Sequence, residues 1–367
     1  MSAPIEVPKW ADVTLVPALA VILAFLVAGS VVIGIGENPV RASILLVQGA
    51  FGSGEGIGYT LYYATNFIFT GLAVAFAFHA GLFNIGGEGQ ATMGGLGAAL
   101  ICLQFDFLPW YLVLPLAILG AMAMGALWAF IPGYLQVKRG SHVVITTIMF
   151  NFLAATLVVY LLVNVIGKPG SMSPETRGFS PSAHMPFMHE ALAVLGITIP
   201  KSPLNLSFVL ALLASYGVWL ILWRTRYGYE ARTLGANPSA AHYAGISVPR
   251  VTMSAMAVSG ALAGLLATNE ILGVQGRLLL EFSSGYGFIG IAVALMGRAH
   301  PVGIFLASIL FGALYQGGTE LSFEMPLVTR DMIVAISGLV VLFAGALDMV
   351  MRRPVAFLFR VFHKEEA

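Results

Sequence analysis

About ten apolar segments recur along the chain, and charged residues are almost absent inside them. They lie at roughly 13–35, 58–79, 88–104, 109–135, 142–166, 204–223, 251–270, 285–297, 301–320 and 329–350. Only 10% of all residues are charged and 58% are hydrophobic, whereas a soluble domain carries about 25% charged residues. The sequence therefore predicts an all-α polytopic membrane protein with one transmembrane domain over residues 1–367. The first segment is longer than the apolar core of a signal peptide, so we expect it to be retained as a transmembrane helix.

Lys and Arg residues in the loops favour one orientation in the membrane. If all ten segments cross and the N-terminus is cytoplasmic, 12 of the 18 basic residues lie on the cytoplasmic side, where an excess is usual. We therefore expect both termini inside and an extracytoplasmic loop at 167–203, with a short helix near 189–195. The same orientation places a connection at 224–250 and a basic tail at 351–367 in the cytoplasm.

The third and eighth segments are too short to cross a membrane unaided. Residues 285–297 span about 20 Å at 1.5 Å per residue, and Gly94, Gly95 and Gly97 interrupt 88–104. Each of these two short segments follows or overlaps a Gly-rich stretch at its start, "GLFNIGGEG" in the first half and "GYGFIG" in the second. We call this stretch the Gly-rich entry of the segment. If segments 2–5 and 7–10 form two inverted repeats, the short segments occupy the same place in each. Such a pair indicates a transport site near the bilayer midplane.

The longest cytoplasmic connection, "RTRYGYEARTLGANPSAAHYAGISVPR" at 224–250, contains one predicted short helix. Asn237 suits its N-cap, Pro238 its first helical position and Gly245 its end. We expect Gly235 to let the chain turn into this helix. The helix then lies along the membrane or inserts into a groove of a partner; a solvated connector is the alternative.

Two motifs resemble those of permease subunits of bacterial ABC importers. "GLFNIGGEGQ", residues 81–90, is similar to the Gly-x-Phe-Asn-Ile-Gly-x-Glu-Gly-Gln run of permeases for simple sugars, branched-chain amino acids and nucleosides. The stretch 224–250 resembles the family's E-A-A, Gly, I-x-L-P pattern, by which the permease grips its ATPase. Its matching positions are Glu230, Ala231, Gly235, Ile246, Val248 and Pro249, with Arg232 in place of the last alanine. The long outside loop and "ARTLGANPSAAHYAGI" are most similar to the nucleoside-type permeases.

The resemblance implies the permease subunit of an ABC importer that moves a small polar solute across the bacterial inner membrane, a nucleoside first and a simple sugar next. It implies three protein partners: a cytoplasmic ATPase, a second permease subunit in a homo- or heterodimer, and an extracytoplasmic solute-binding protein. Nucleic acid is not among the partners. The residues expected to couple the permease to the ATPase are Glu230, Gly235, Pro238, Ala240, Ala241, Tyr243 and Gly245. The small alanines would seat in a groove, with Tyr243 as an aromatic anchor.

Polar side chains within the apolar segments are candidates for the solute pathway. Neutral amides suit the hydroxyls and ring nitrogens of a nucleoside or sugar, and aromatic rings suit a base. The candidates are Asn66, Phe69, Asn84, Glu88, Gln90, Asn151, Asn269 and Gln316. The alternative for most of them is contact between helices or anchoring toward lipid. For Glu88 the alternative is a cap at the N-terminus of its own short helix, where a carboxylate is favoured.

Several motifs are missing from the sequence. The only Gly-Lys pair, Gly167 and Lys168, precedes a proline, so no P-loop is present and we expect no enzymatic activity and no catalytic residues. Cys102 is the one cysteine, which excludes a disulfide framework, and we expect neither a metal site nor a cofactor. An ion- or proton-coupled secondary transporter is the alternative function. It requires carboxylates deep in the membrane, whereas Glu88, Glu270 and Asp348 all lie near predicted segment ends.

Overall fold

The computed structural model describes residues 15–329 and, beyond them, residues 332, 335, 338 and 339. The last predicted segment therefore lies almost wholly outside the described residues, as do Asp348 and the tail 351–367. Within the described part the chain is helical, and its only β-structure is two isolated bridges. Six of the described helices are long and apolar enough to cross a membrane, or seven if one bent pair forms a single span. The predicted all-α polytopic membrane protein is confirmed.

The helices are numbered here in chain order. Within the described part they are α1 Val16–Gly34, α2 Pro39–Phe51, α3 Gly54–His79, α4 Gly87–Gln104, α5 Trp110–Arg139, α6 Val143–Asn164, α7 Met188–Ala193, α8 Ser207–Arg224, α9 Arg226–Ala236, α10 Pro238–Tyr243, α11 Val248–Gly264, α12 Tyr286–Met296 and α13 Pro301–Glu324. A 3₁₀ turn at Pro181–Ala183 and a π-helix at Thr268–Gln275 complete the set. The short third and eighth segments correspond to α4 and α12.

The described residues among 1–53 and 313–367 belong to one compact unit, which includes a helix that the sequence did not predict. The chain bends by 117° between α1 and α2. The Asn38 side chain caps α2 by accepting hydrogen bonds from the backbone N–H groups of Val40 at 2.9 Å and Arg41 at 3.2 Å. Pro39 follows at the first helical position, where its missing N–H has no cost. Helix α2 escaped prediction because it is short and carries Arg41 and Gln48.

Residues 54–312 form the other compact unit, and α3 is buried along most of its length. Helices α4, α5 and α11 approach each other closely at glycines. A Cβ atom on Gly260 would collide with the backbone oxygen of Gly125, and one on Gly94 would collide with Gly264. Small residues at these crossings allow close helix packing without a hydrophobic driving force between the helices.

The long connection at 167–203 packs against the end of the π-helix. The N–H of Met185 donates to the Leu272 carbonyl at 2.8 Å, and the N–H of Phe179 donates to the Gly276 carbonyl at 2.8 Å. Glu175 and Arg277 form an ion pair at 3.2 Å. The predicted short helix is confirmed as α7, so this connection is an ordered cap on the segment that follows the π-helix.

The stretch 224–250 contains two helices rather than a loop with one. The N-cap prediction for α10 is confirmed, because the Asn237 side chain accepts hydrogen bonds from the N–H groups of Ser239 at 3.0 Å and Ala240 at 3.1 Å. The prediction that Gly235 forms a turn is wrong, since Gly235 lies within α9. A Cβ atom at this position would collide with the His79 carbonyl oxygen, so the glycine allows α9 to touch the end of α3.

The predicted segment 251–270 is longer than expected, because α11 continues into the π-helix. Glu270 therefore does not lie at a segment end: it is buried within the π-helix, at 5% exposure. A π-helix has an i→i+5 hydrogen-bond pattern and often occurs at functional sites. The wider turn brings Asn269 and Glu270 together into the protein interior.

Candidate functional site

The two short helices meet at their N-termini. Helix α4 begins at Gly87 and α12 at Tyr286. A Cβ atom on Gly287 would collide with the backbone nitrogen of Glu88, and one on Gly87 would lie 3.2 Å from the Gly287 oxygen. Glycine on both sides therefore permits the contact, which explains why each short segment has a Gly-rich entry.

The Glu88 carboxylate caps α12 rather than its own helix. Its Oε1 atom accepts hydrogen bonds from Ser283 Oγ at 2.6 Å and from the N–H of Gly285 at 3.0 Å. Its Oε2 atom accepts one from the N–H of Gly287 at 2.8 Å. The first N–H groups of a helix have no partner within it, and a negative charge is favoured there. The sequence predicted the capping chemistry but assigned it to the wrong helix.

Two predicted pathway amides bond to each other at the start of α4: Asn84 in the irregular entry and Gln90 in the first turn of the helix. The Asn84 Nδ2 atom donates to Gln90 Oε1 at 2.9 Å, and Gln90 Nε2 donates to Asn84 Oδ1 at 3.0 Å. Asn84 also accepts from the N–H of Gly86 at 2.8 Å and donates to Ser259 Oγ on α11 at 2.9 Å. Both amides are buried. They therefore satisfy buried polar groups around a backbone that is not helical.

Asn151 on α6 holds the same entry from the other side. Its Oδ1 atom accepts a hydrogen bond from the N–H of Gly89 at 2.9 Å, and its Nδ2 atom donates to the Ile85 carbonyl at 3.0 Å. A Cβ atom on Gly89 would lie 2.8 Å from Asn151 Cα. The three amides thus support the junction through their own hydrogen bonds, and a direct contact with solute stays a prediction.

A cavity of about 430 Å³ opens beside this junction. This volume falls within the range of small-molecule sites, about 300–1,000 Å³. The residues that line it include Glu88, Thr92, Ile148, Asn151, Phe152, Leu280, Glu281, Phe282, Ser283, Ser284 and Phe288. Glu281 and Ser284 adopt left-handed backbone conformations, with φ of 55° and 45°. Such backbone strain clusters at functional sites. The sequence predicted Glu88 and Asn151 as pathway residues but missed the segment from 279 to 285, which carries no motif.

Two more predicted pathway residues, Asn66 and Asn269, lie in a packed network rather than at this cavity. Glu270 Oε1 accepts hydrogen bonds from Tyr62 at 2.7 Å and Asn66 at 2.6 Å. Asn269 donates to Asn66 Oδ1 at 2.9 Å and accepts from Asn205 at 2.9 Å. Tyr62 escaped prediction, although its i, i+4 spacing from Asn66 places both on one face of α3.

The last two predicted pathway residues lie neither in this network nor at the cavity. Phe69 is completely buried, and Gln316 belongs to the other compact unit. In the described part of the chain no cluster of three or more His, Cys, Asp or Glu side chains could hold a metal ion.

The predicted coupling residues divide into exposed and buried sets. Tyr243 is 91% exposed, and Pro238, Ala240 and Gly245 are exposed beside it. Ala241 is completely buried within this chain, so the expectation that it seats in a groove of a partner is wrong. Glu230 on α9 pairs with Arg226 at 2.9 Å, an i,i+4 ion pair. Burial depends on how α10 packs on its neighbours, which a short sequence of alanines does not reveal.

Comparison with known proteins agrees with this architecture. Residues 56–345 match the protein family described as the permease component of branched-chain amino acid transport systems. The guanosine ABC transporter permease protein NupP of Bacillus subtilis is 38% identical over 340 residues, which cover 92% of this chain and 95% of that protein. The nucleoside ABC transporter permease protein NupB of Lactococcus lactis is 35% identical over 305 residues, 83% of each chain. The glucose ABC transporter permease protein TsgB13 of Haloferax volcanii is 33% identical over 356 residues, 96% of this chain and 92% of that protein. The chain therefore belongs to the family of branched-chain amino acid transport system permease components.

Proposed function

We propose that this protein is the transmembrane permease subunit of an ABC importer that carries nucleosides, with simple sugars as the next class of solute. The observation that carries the proposal is similarity along most of the chain to ABC permeases named for guanosine, nucleosides and glucose. Family membership also favours this function over an ion- or proton-coupled secondary transporter. The chain is not an enzyme, because in this class ATP hydrolysis lies in a separate subunit.

The partners of such a permease are a cytoplasmic ATPase, a second permease subunit and an extracytoplasmic solute-binding protein. We place the protein in the bacterial inner membrane, with both termini and the stretch 224–250 in the cytoplasm and the cap 167–203 outside. The excess of Lys and Arg on the cytoplasmic side supports this orientation. Exposed apolar residues on the outer faces of α5 and α6 are consistent with contact to lipid or to a second permease subunit.

The exposed surface of α10 is the proposed contact with the ATPase. When the ATPase closes, it can move the solute pathway only if its contact with the permease is rigid. Here α9 is anchored to α11 by a hydrogen bond of 2.9 Å between Tyr227 and Ser254, and to α3 at Gly235. The buried Ala241 fixes α10 in turn, which leaves Tyr243 as the exposed anchor.

Solute uptake tests the proposed function directly. The chain is expressed with its cognate ATPase, second permease and binding protein in cells that lack nucleoside uptake. We expect saturable uptake of labelled guanosine that is abolished when the ATPase carries an inactive P-loop, and weaker competition by glucose. Uptake that persists without ATP hydrolysis and follows an ion gradient would instead establish a secondary transporter.

A further inference from the structure

The cavity beside Glu88 has an uneven distribution of charge. Glu88 and Glu281 place two carboxylates on its lining, and no Lys, Arg or His is among the described residues that line it. Hydroxyl groups of Thr92, Ser283 and Ser284 add further polar atoms to the lining. The cavity therefore offers hydrogen-bond acceptors with negative charge and no cation to receive an anion.

The two carboxylates differ in how many of their hydrogen-bond acceptor sites are already occupied. Glu88 already accepts three hydrogen bonds, from Ser283, Gly285 and Gly287, whereas a carboxylate has about four acceptor sites. Glu281 is exposed and forms no ion pair within the described residues. Glu88 is thus a fixed charge held by the fold, and Glu281 is a free acceptor.

Aromatic side chains form an apolar part of the cavity lining. Phe152 on α6 and Phe288 on α12 line it with 67% and 47% exposure, and Phe282 lies beside them. A carboxylate with adjacent aromatic faces suits a solute that has hydroxyl donors on one part and a flat or apolar face on another. Hydrogen bonds from such hydroxyls to an ionised carboxylate are stronger than bonds between neutral groups.

We propose that this cavity is a solute-contact site, in which the Glu281 carboxylate accepts hydrogen bonds from the hydroxyls of an uncharged solute, and the charges of Glu281 and Glu88 exclude phosphorylated forms of that solute. The inference rests on the proposed transport function and deepens it by assigning a site and a charge preference. A phosphate group in the cavity would meet two carboxylates without a compensating cation, so its repulsion and its lost hydration both oppose entry.

The charge of the cavity is measurable without any transport. Leu280 lines the cavity and is 37% exposed, so Leu280→Cys in a Cys102→Ser background gives one reporter thiol in this subunit of the purified permease complex. We expect a cationic trimethylammonium methanethiosulfonate to react about tenfold faster than an anionic sulfonate analogue, after correction for their rates with Leu195→Cys, an exposed control on the outer cap. Adding Glu281→Gln should lower this ratio several-fold. Equal rates with both reagents, or no reaction because a partner subunit covers the site, would overturn the proposal. Phe288→Cys repeats the measurement if Leu280→Cys does not fold.

Solute recognition is tested by transport kinetics of the complete importer. Glu281→Gln is expected to raise the KM for guanosine about tenfold, the effect of losing a hydrogen bond to a charged group. It should change uptake of 2′,3′-dideoxyguanosine less, because that analogue lacks two of the three ribose hydroxyl donors. The same KM for guanosine in Glu281→Gln and in the wild type would refute the contact. If the wild type takes up no guanosine, the transport proposal fails, whereas the thiol measurement still decides the charge of the cavity.

Discussion

The Glu88 carboxylate accepts a hydrogen bond of 2.8 Å from the N–H of Gly287, while Gly287 packs so closely on Glu88 that a Cβ atom would collide with the Glu88 backbone. The two residues join the N-termini of the short helices α4 and α12. Glu88 supplies the negative charge that both helix N-termini favour. Gly287 has no side chain and therefore permits the close contact. This pair explains how a Gly-rich motif with a single carboxylate is accommodated in an apolar protein.

The closeness of this junction predicts a strong effect of one methyl group. Gly287→Ala should lower stability by about 1–3 kcal/mol, the usual cost of overpacking, because the new Cβ meets backbone atoms. Gly217→Ala on α8 is the matched control, since no atom lies within 4 Å of its added Cβ. Thermal unfolding of the two purified variants in the same detergent measures the difference. Equal melting temperatures would show that the junction has room to adjust.

Replacing the charge at Glu88 separates capping from solute contact. Glu88→Gln keeps one acceptor oxygen but turns an amide toward a second donor, so we expect a loss of about 1 kcal/mol and an assembled complex. Glu88→Ala leaves Ser283, Gly285 and Gly287 without this partner and should impair assembly. Co-purification of the ATPase with each variant, together with the KM for guanosine, provides the measurement. An unchanged KM in Glu88→Gln would show that this carboxylate makes no contact with guanosine.

Neighbouring alanines on α10 should respond differently to the same substitution. Ala240 is exposed, so Ala240→Arg should leave the fold intact and weaken the binding of the ATPase. Ala241 is buried, so Ala241→Arg should destabilise the permease itself. Pull-down of the ATPase, normalised to folded permease, distinguishes the two effects. Full-strength binding by both Ala240→Arg and Tyr243→Ala would place the coupling contact elsewhere.

The proposed orientation predicts opposite labelling of two exposed positions. Met172 lies in the cap 167–203 and Ser239 on α10, and both are exposed. In a Cys102→Ser background, Met172→Cys should react with an impermeant thiol reagent in intact cells. Ser239→Cys should react only after the cells are opened. The reverse pattern would invert the topology.

The buried Glu270 network predicts a graded loss of stability. Glu270→Ala leaves the Tyr62 hydroxyl and the Asn66 amide unpaired in the interior, at about 1–3 kcal/mol for each unsatisfied group. Glu270→Gln retains an acceptor and should cost less. Thermal unfolding in detergent ranks the two variants against wild type. If Glu270→Ala unfolds at the wild-type temperature, the network contributes little to the fold.

The sequence by itself determined the features that depend on neighbouring residues. Long apolar runs specify membrane helices because every backbone polar group in a bilayer must be satisfied within the segment. The start of α10 was predictable because its cap is local: Asn237 bonds to N–H groups only two and three positions away. The Gly-rich motif also indicated a place of close backbone approach, because such approach requires glycine.

Only the tertiary structure decided which groups meet across the chain. Ser283 is 195 positions from Glu88, and Glu270 is 208 positions from Tyr62, so no local pattern identifies either pair. The burial of Ala241 could not be identified from local sequence either. Its methyl group is buried, although a small side chain in a short run of alanines suits an exposed docking face. Partner choice and burial follow from how separate helices pack, and packing depends on the sum of many contacts between residues distant in sequence.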